Sequence, residues 1–72
     1  MRLSEFRRAV AEEFGPVHGP VLTRDQWLAE LGGTVDEALA AGADPRDAWL
    51  ALCREMSVPT ERRHGRGLVD PR

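Results

Sequence analysis

Residues 34–53 read T-V-D-E-A-L-A-A-G-A-D-P-R-D-A-W-L-A-L-C, and two helices can be placed in them from local chemistry. In the second, Asp44 is the N-cap, because its carboxylate can accept from the orphan backbone N–H groups of the first turn. Pro45 suits the first helical position, where a missing N–H costs nothing. Asp47 places negative charge beside the positive end of the helix. Trp49, Leu52, Cys53 and Met56 then fall at i, i+3, i+4 and i+7, the spacing of a buried stripe. Val58-Pro59 ends the helix. In the first, about Val35 to Ala41, Thr34 and Glu37 form a capping box and Gly42 supplies the left-handed residue after the last turn. Val35, Ala38 and Leu39 face inward. So short a helix does not persist alone in water and depends on docking.

Upstream, Gly32-Gly33 predicts the end of another helix at Leu31, with Trp27, Leu28 and Leu31 as its apolar side. Its start can be read in two ways. Pro20 suits a first helical position, while Thr23-Arg24-Asp25-Gln26 forms a capping box with Leu22 and Trp27 as its hydrophobic staple. Residues 15–20, G-P-V-H-G-P, predict a loop or a single turn, since two Gly-Pro pairs do not fit a regular helix interior. The first helix is expected from Glu5 to Phe14, with Ser4 as N-cap and Leu3, Phe6, Val10 and Phe14 on one face. From Thr60 onward the chain is rich in Arg, Gly and Pro, with Leu68 and Val69 its apolar residues.

The fold class this predicts is all-α: a compact orthogonal or partly orthogonal four-helix mini-bundle with a short third helix, residues 1–59, followed by a flexible basic tail, residues 60–72. The expected core is Leu3, Phe6, Val10, Phe14, Leu28, Leu31, Val35, Leu39, Trp49, Leu52, Cys53 and Met56, with Trp27 partly buried. Short connections place helices that are neighbours in sequence against one another. Seventy-two residues make one domain at most. One core of this size supplies roughly 3–5 kcal/mol of net stability.

Composition narrows the function classes. The single cysteine, Cys53, forbids an internal disulfide and fits a reducing cytoplasm. No apolar run is long enough to span a bilayer, and charge interrupts the first fourteen residues throughout, so a soluble cytoplasmic protein is expected, with no membrane partner. All ten basic residues are arginine, and Lys, Ile, Tyr and Asn are absent, which reads as the codon bias of a GC-rich genome. Residues 1–59 carry six Arg against ten acidic residues, net −4, whereas residues 60–72 carry four Arg against two, net +2. An acidic body argues against a nucleic-acid surface on the folded part.

No constellation suited to catalysis emerges. A cysteine nucleophile needs a histidine beside it. His18 lies in the loop, His64 in the tail, and Cys53 on a buried stripe, where it behaves as a small apolar side chain. One Cys and two distant His do not make a metal site. Asp44 and Asp47 could pass for paired carboxylates but are explained as helix-start residues. Gly32-Gly33 lacks the preceding strand and following Lys of a phosphate loop. The third and fourth helices resemble a helix-turn-helix in outline, but Asp44 and Asp47 at the reading end would repel phosphate. Arg7-Arg8 and Arg62-Arg63-x-x-Arg66 read first as a solvated face and a solubilising tail. The expectation is no enzyme activity, no cofactor, no metal and no small-molecule substrate.

Met1-Arg2-Leu3-Ser4-Glu5-Phe6, Phe14-Gly15, Arg24-Asp25, Leu31-Gly32-Gly33, Thr34 to Gly42 and Pro45 to Cys53 together resemble an uncharacterised family of short actinobacterial proteins, a domain of unknown function. The resemblance spans residues 1 to about 64, and T-x-x-E-A-L-x-x-G…P-x-x-x-W-x-A-L-C is its most specific part. It implies no activity. It implies a gene neighbourhood, since the family's genes often lie near those for the recombinase RecA and its regulator RecX. The chain departs from that pattern at Gly19-Pro20, where relatives tend to carry helix formers.

The function expected is a non-catalytic protein-interaction module, accessory to DNA recombination or repair. Its partner surface is expected around Leu22, Trp27 and Leu50, rimmed by Arg24, Asp25 and Arg46, where aromatic and Arg residues would form an interface centre. The bland reading of the same residues is that Trp27 covers the core and Leu50 stands alone. The alternative function is weak nucleic-acid binding through the basic tail and helix 1. Salt discriminates the two, because phosphate binding weakens steeply as ionic strength rises.

Overall fold

The first helix, α1, runs Leu3–Phe14 and begins two residues earlier than its sequence suggests. Arg2 is the capping position, and its backbone N–H donates to Glu5 Oε1 at 2.8 Å. Ser4 therefore sits inside the first turn, because the carboxylate at the third helical position already supplies the acceptor. Phe6, Ala9 and Val10 are buried. Leu3, expected in the core, is 49% exposed, since it occupies the first helical position and no other element covers it. Gly15 stops the helix with φ +96° and donates to Ala11 O at 2.9 Å. The computed structural model describes residues 1–63, and the statements that follow concern those residues.

The stretch expected to be a loop opens the second helix, α2, His18–Asp25. Pro20 is tolerated there because it stands in the first turn, where its N–H would have no partner within the helix. Gly19 is required by packing. A Cβ on it would lie 2.7 Å from Val10 Cγ1 and 3.0 Å from the Val10 carbonyl oxygen, so the α2 backbone rests directly on α1. Thr23, read from sequence as an N-cap, lies near the helix C-terminus and is buried. Its hydroxyl donates to Pro20 O at 3.0 Å and accepts from Arg7 Nη1 at 3.3 Å. The other amino group of Arg7 lies 3.0 Å from Asp36 Oδ1, and the guanidinium carbon lies 5.4 Å from the centre of the Phe6 ring. One side chain thus links α1, α2 and the start of the third helix.

Trp27–Leu28 and Gly33–Thr34 are short strands, β1 and β2, paired antiparallel with Trp27 opposite Thr34 and Leu28 opposite Gly33. The expectation of an all-α chain, with a helix running to Leu31, is corrected here: the protein is mostly helical with a small two-stranded ladder. The glycine pair explains the difference. Gly32 adopts φ +69° in the connecting turn, a conformation open to glycine at little cost. Gly33 leaves room for the Glu37 side chain, whose Oε1 would lie 2.6 Å from a Cβ placed there. That carboxylate accepts from Thr34 N at 2.9 Å, while Thr34 Oγ1 accepts from Glu37 N at 3.1 Å. The capping box read from sequence is therefore formed, and the glycines serve the turn before it.

The third helix, α3, spans Val35–Ala40, and Gly42 follows it at φ +101°. The fourth, α4, spans Pro45–Glu55, with Asp44 Oδ1 accepting from Arg46 N at 2.8 Å. Its stripe packs as its spacing predicts: Trp49, Leu52 and Cys53 are buried and Met56 is half-buried. Trp49 lies edge-on to both Phe6 and Phe14, with ring centres 6.4 Å away in each case. Ala9, Ala48, Ala51 and Val58 join this core, and Phe14, Leu31, Leu39 and Leu50 pack around it partly buried. The radius of gyration is 11.2 Å, close to the ~11 Å expected of one compact body of this length.

Beyond α4 the described residues run four past Pro59. Thr60–Arg62 form a 3-10 turn, Arg62 pairs with Glu13 on α1, and the Trp49 indole N–H donates to the Arg63 carbonyl. The rest of the basic tail, including His64, Arg66, Leu68 and Val69, lies outside the described residues.

Candidate interaction surface

Strand alternation decides which side chain is presented. Successive residues of a strand point to opposite faces. Leu28 therefore enters the core, where it is 1% exposed, and Trp27 points outward, 59% exposed. Sequence periodicity assigned both to one helix and made Trp27 partly buried. The ladder holds it out instead.

The turn beyond Trp27 meets α4 through a surface ion pair. Arg54 of α4 makes three hydrogen bonds to the Glu30 carboxylate, at 2.6, 2.9 and 3.1 Å. These bonds hold the Glu30 carboxyl below its ordinary range and raise Arg54. With Leu28 buried beneath and Thr34 paired alongside, the exposed indole stands on a fixed element. Beside it in sequence, Arg24 donates to Asp25 through Nε and Nη2, both at 3.0 Å, and the bond to Arg24 lowers the Asp25 carboxyl. Both side chains are exposed.

The other residues proposed for the surface are placed differently. Leu22 is 7% exposed and belongs to the interior of α2's packing face. Leu50 is half-buried against the core. Arg46 is exposed in the first turn of α4, where its backbone N–H meets the Asp44 cap. The α4 helix packs against β1. Trp27 is thus the large apolar group of this set that solvent reaches.

Cys53 and Asp44 both have structural places. Cys53 is buried, and that burial pushes its thiol up to about 12, so the reactive thiolate is not formed near neutral pH. Among the described residues no group of three His, Cys, Asp or Glu side chains could hold a metal ion, and no helix is long and apolar enough to cross a membrane. Asp44 caps α4, as the sequence reading required.

A small, mostly helical domain that holds one indole in its core and presents another from a short strand is the class defined by this geometry. The family described as "Protein of unknown function (DUF3046)" matches residues 1–61, and the chain belongs to it. No curated protein matches the chain, and no solved structure does.

Proposed function

We propose that the protein is a non-catalytic interaction module that docks a protein partner on Trp27. The observation that carries this reading is the 59% exposure of that indole on a strand whose next residue, Leu28, is buried in the core and which pairs with β2. A large aromatic with few rotatable bonds, already held in place, loses little entropy on docking, and Trp and Arg are enriched among the residues that dominate binding energy. Arg24, Arg46 and Leu50 are the proposed flanking contacts. Leu22, being buried, is not among them. A cytoplasmic setting is part of this reading and fits the lone cysteine, and a role accessory to DNA recombination or repair rests on the gene neighbourhood implied by the family resemblance.

Nucleic-acid binding through helix 1 and the tail is the weaker reading. Arg7 faces Asp36, Arg8 faces Glu12, Arg62 faces Glu13, and Arg63 donates to the Val58 carbonyl. A phosphate backbone would have to compete for each of these arginines on a body of net negative charge.

The test is affinity purification from the native host with wild type and Trp27→Ala as parallel baits, each first checked for an unchanged thermal melt. Proteins recovered by wild type and lost with Trp27→Ala support the reading, and a hot-spot truncation of this kind costs about 2 kcal/mol or more, some thirty-fold in affinity. Identical recovery by both baits would refute it.

A further inference from the structure

We propose that residues 58–63 form a strap, hinged at Ser57 and clasped to α1, that opens as a unit while the helical body stays folded and so controls access to the seam between α1 and α4. Four observations build it. Ser57 adopts φ +57°, the left-handed position that ends α4, where glycine or asparagine is usual and serine is less favoured, so the chain changes direction at this residue. Val58 then folds back, donating to Cys53 O at 2.9 Å and burying its side chain. The far end is held by polar contacts: Arg62 reaches the Glu13 carboxylate through three hydrogen bonds of 3.1–3.2 Å, Arg63 Nε donates to Val58 O at 2.8 Å, and the Arg63 carbonyl accepts from the Trp49 indole. Between hinge and clasp the 3-10 turn buries no residue.

The strap is held by polar contacts at its far end and by one buried side chain at its start. Its core contribution is Val58, and its clasp joins Arg62, 45% exposed, to Glu13, 12% exposed, an ion pair that salt reaches from the Arg62 side. Segments with few buried apolar contacts open ahead of global unfolding. Opening breaks the bond to the Trp49 indole and lifts cover from the end of α4 where Cys53 lies. Val58 donates to Cys53 O and both side chains lie in the same core cluster, which places the thiol beside the start of the strap.

The chain has one cysteine, so the rate at which an aromatic disulfide reagent labels Cys53 in the full-length protein reads the opening directly. Local opening predicts labelling that is nearly independent of denaturant well below the unfolding transition, because little surface is exposed in the event. Glu13→Gln should raise the native labelling rate about two- to five-fold with the circular-dichroism melt almost unchanged. Added salt should accelerate wild type and leave Glu13→Gln nearly unaffected. Should Glu13→Gln fold poorly, Arg62→Gln removes the same clasp from the exposed side and must give the same acceleration. Labelling that follows the full denaturant slope of global unfolding from zero denaturant, or a rate unchanged in both variants, would overturn the strap.

Discussion

Trp49→Ala is expected to abolish cooperative folding at ambient temperature. Trp49 is 1% exposed, lies edge-on to Phe6 and Phe14, and donates its indole N–H to the Arg63 carbonyl. Truncating a buried aromatic costs about 3–5 kcal/mol. Each edge-to-face pair adds about 0.5–1.5 kcal/mol beyond burial. A 72-residue chain without disulfides has roughly 3–5 kcal/mol to lose. Circular dichroism should show most helix signal gone at 25 °C, with no sigmoidal melt. A cooperative transition within a few degrees of wild type would mean that the indole does not hold α1 and α4 together.

The second large effect is expected at Gly19, and here two principles predict opposite signs. Helix propensity alone makes Gly→Ala inside a helix stabilising by about 0.8–1.0 kcal/mol. Packing opposes it, because the new methyl would lie 2.7 Å from Val10 Cγ1 and 3.0 Å from the Val10 carbonyl oxygen. A side-chain methyl can turn aside, but a backbone carbonyl inside α1 cannot. Overpacking of this kind costs about 1–3 kcal/mol and should dominate. Gly19→Ala should therefore lower the melting temperature, by up to about 8–16 °C, since up to about 2 kcal/mol of cost remains after the propensity gain and 1 kcal/mol shifts a domain of this size by roughly 4–8 °C. The penalty should shrink in a Val10→Ala background, which removes the Cγ1 contact and leaves the carbonyl. A raised melting temperature would show that α2 does not rest on α1 at this point.

Gly19 also shows where the sequence was legible and where it was not. The signals within α3 and α4 are local: Thr34 with Glu37, Asp44 with Pro45, and the stripe from Trp49 to Met56 each act within one or two turns, and the structure forms them as spacing predicts. The region 15–34 depends on tertiary contact. Gly19-Pro20 reads as a helix breaker because local rules cannot show that Val10 waits opposite the glycine. The Thr23 hydroxyl can cap a helix start or bond back to Pro20 O, and the presence of Arg7 sixteen residues away bears on that choice. Gly32-Gly33 fits a helix end as well as a hairpin turn, and what separates the two is room for the Glu37 carboxylate against Gly33. Trp27 was singled out from sequence for its bulk near a helix start. Its exposure became evident once β1 was seen to place Leu28 inward and Trp27 outward.

The account divides the two tryptophans: Trp49 holds the fold, and Trp27 is presented from it. Acrylamide quenching of intrinsic fluorescence, compared between wild type and Trp27→Phe, tests that division most directly, since the variant leaves Trp49 as the remaining indole. Wild type should show one readily quenched, red-shifted component and one protected, blue-shifted component. Trp27→Phe should lose the first, keep the second, and melt within a degree or two of wild type. Ready quenching of the indole that remains in a fully folded Trp27→Phe, or loss of the protected component in place of the accessible one, would contradict the account.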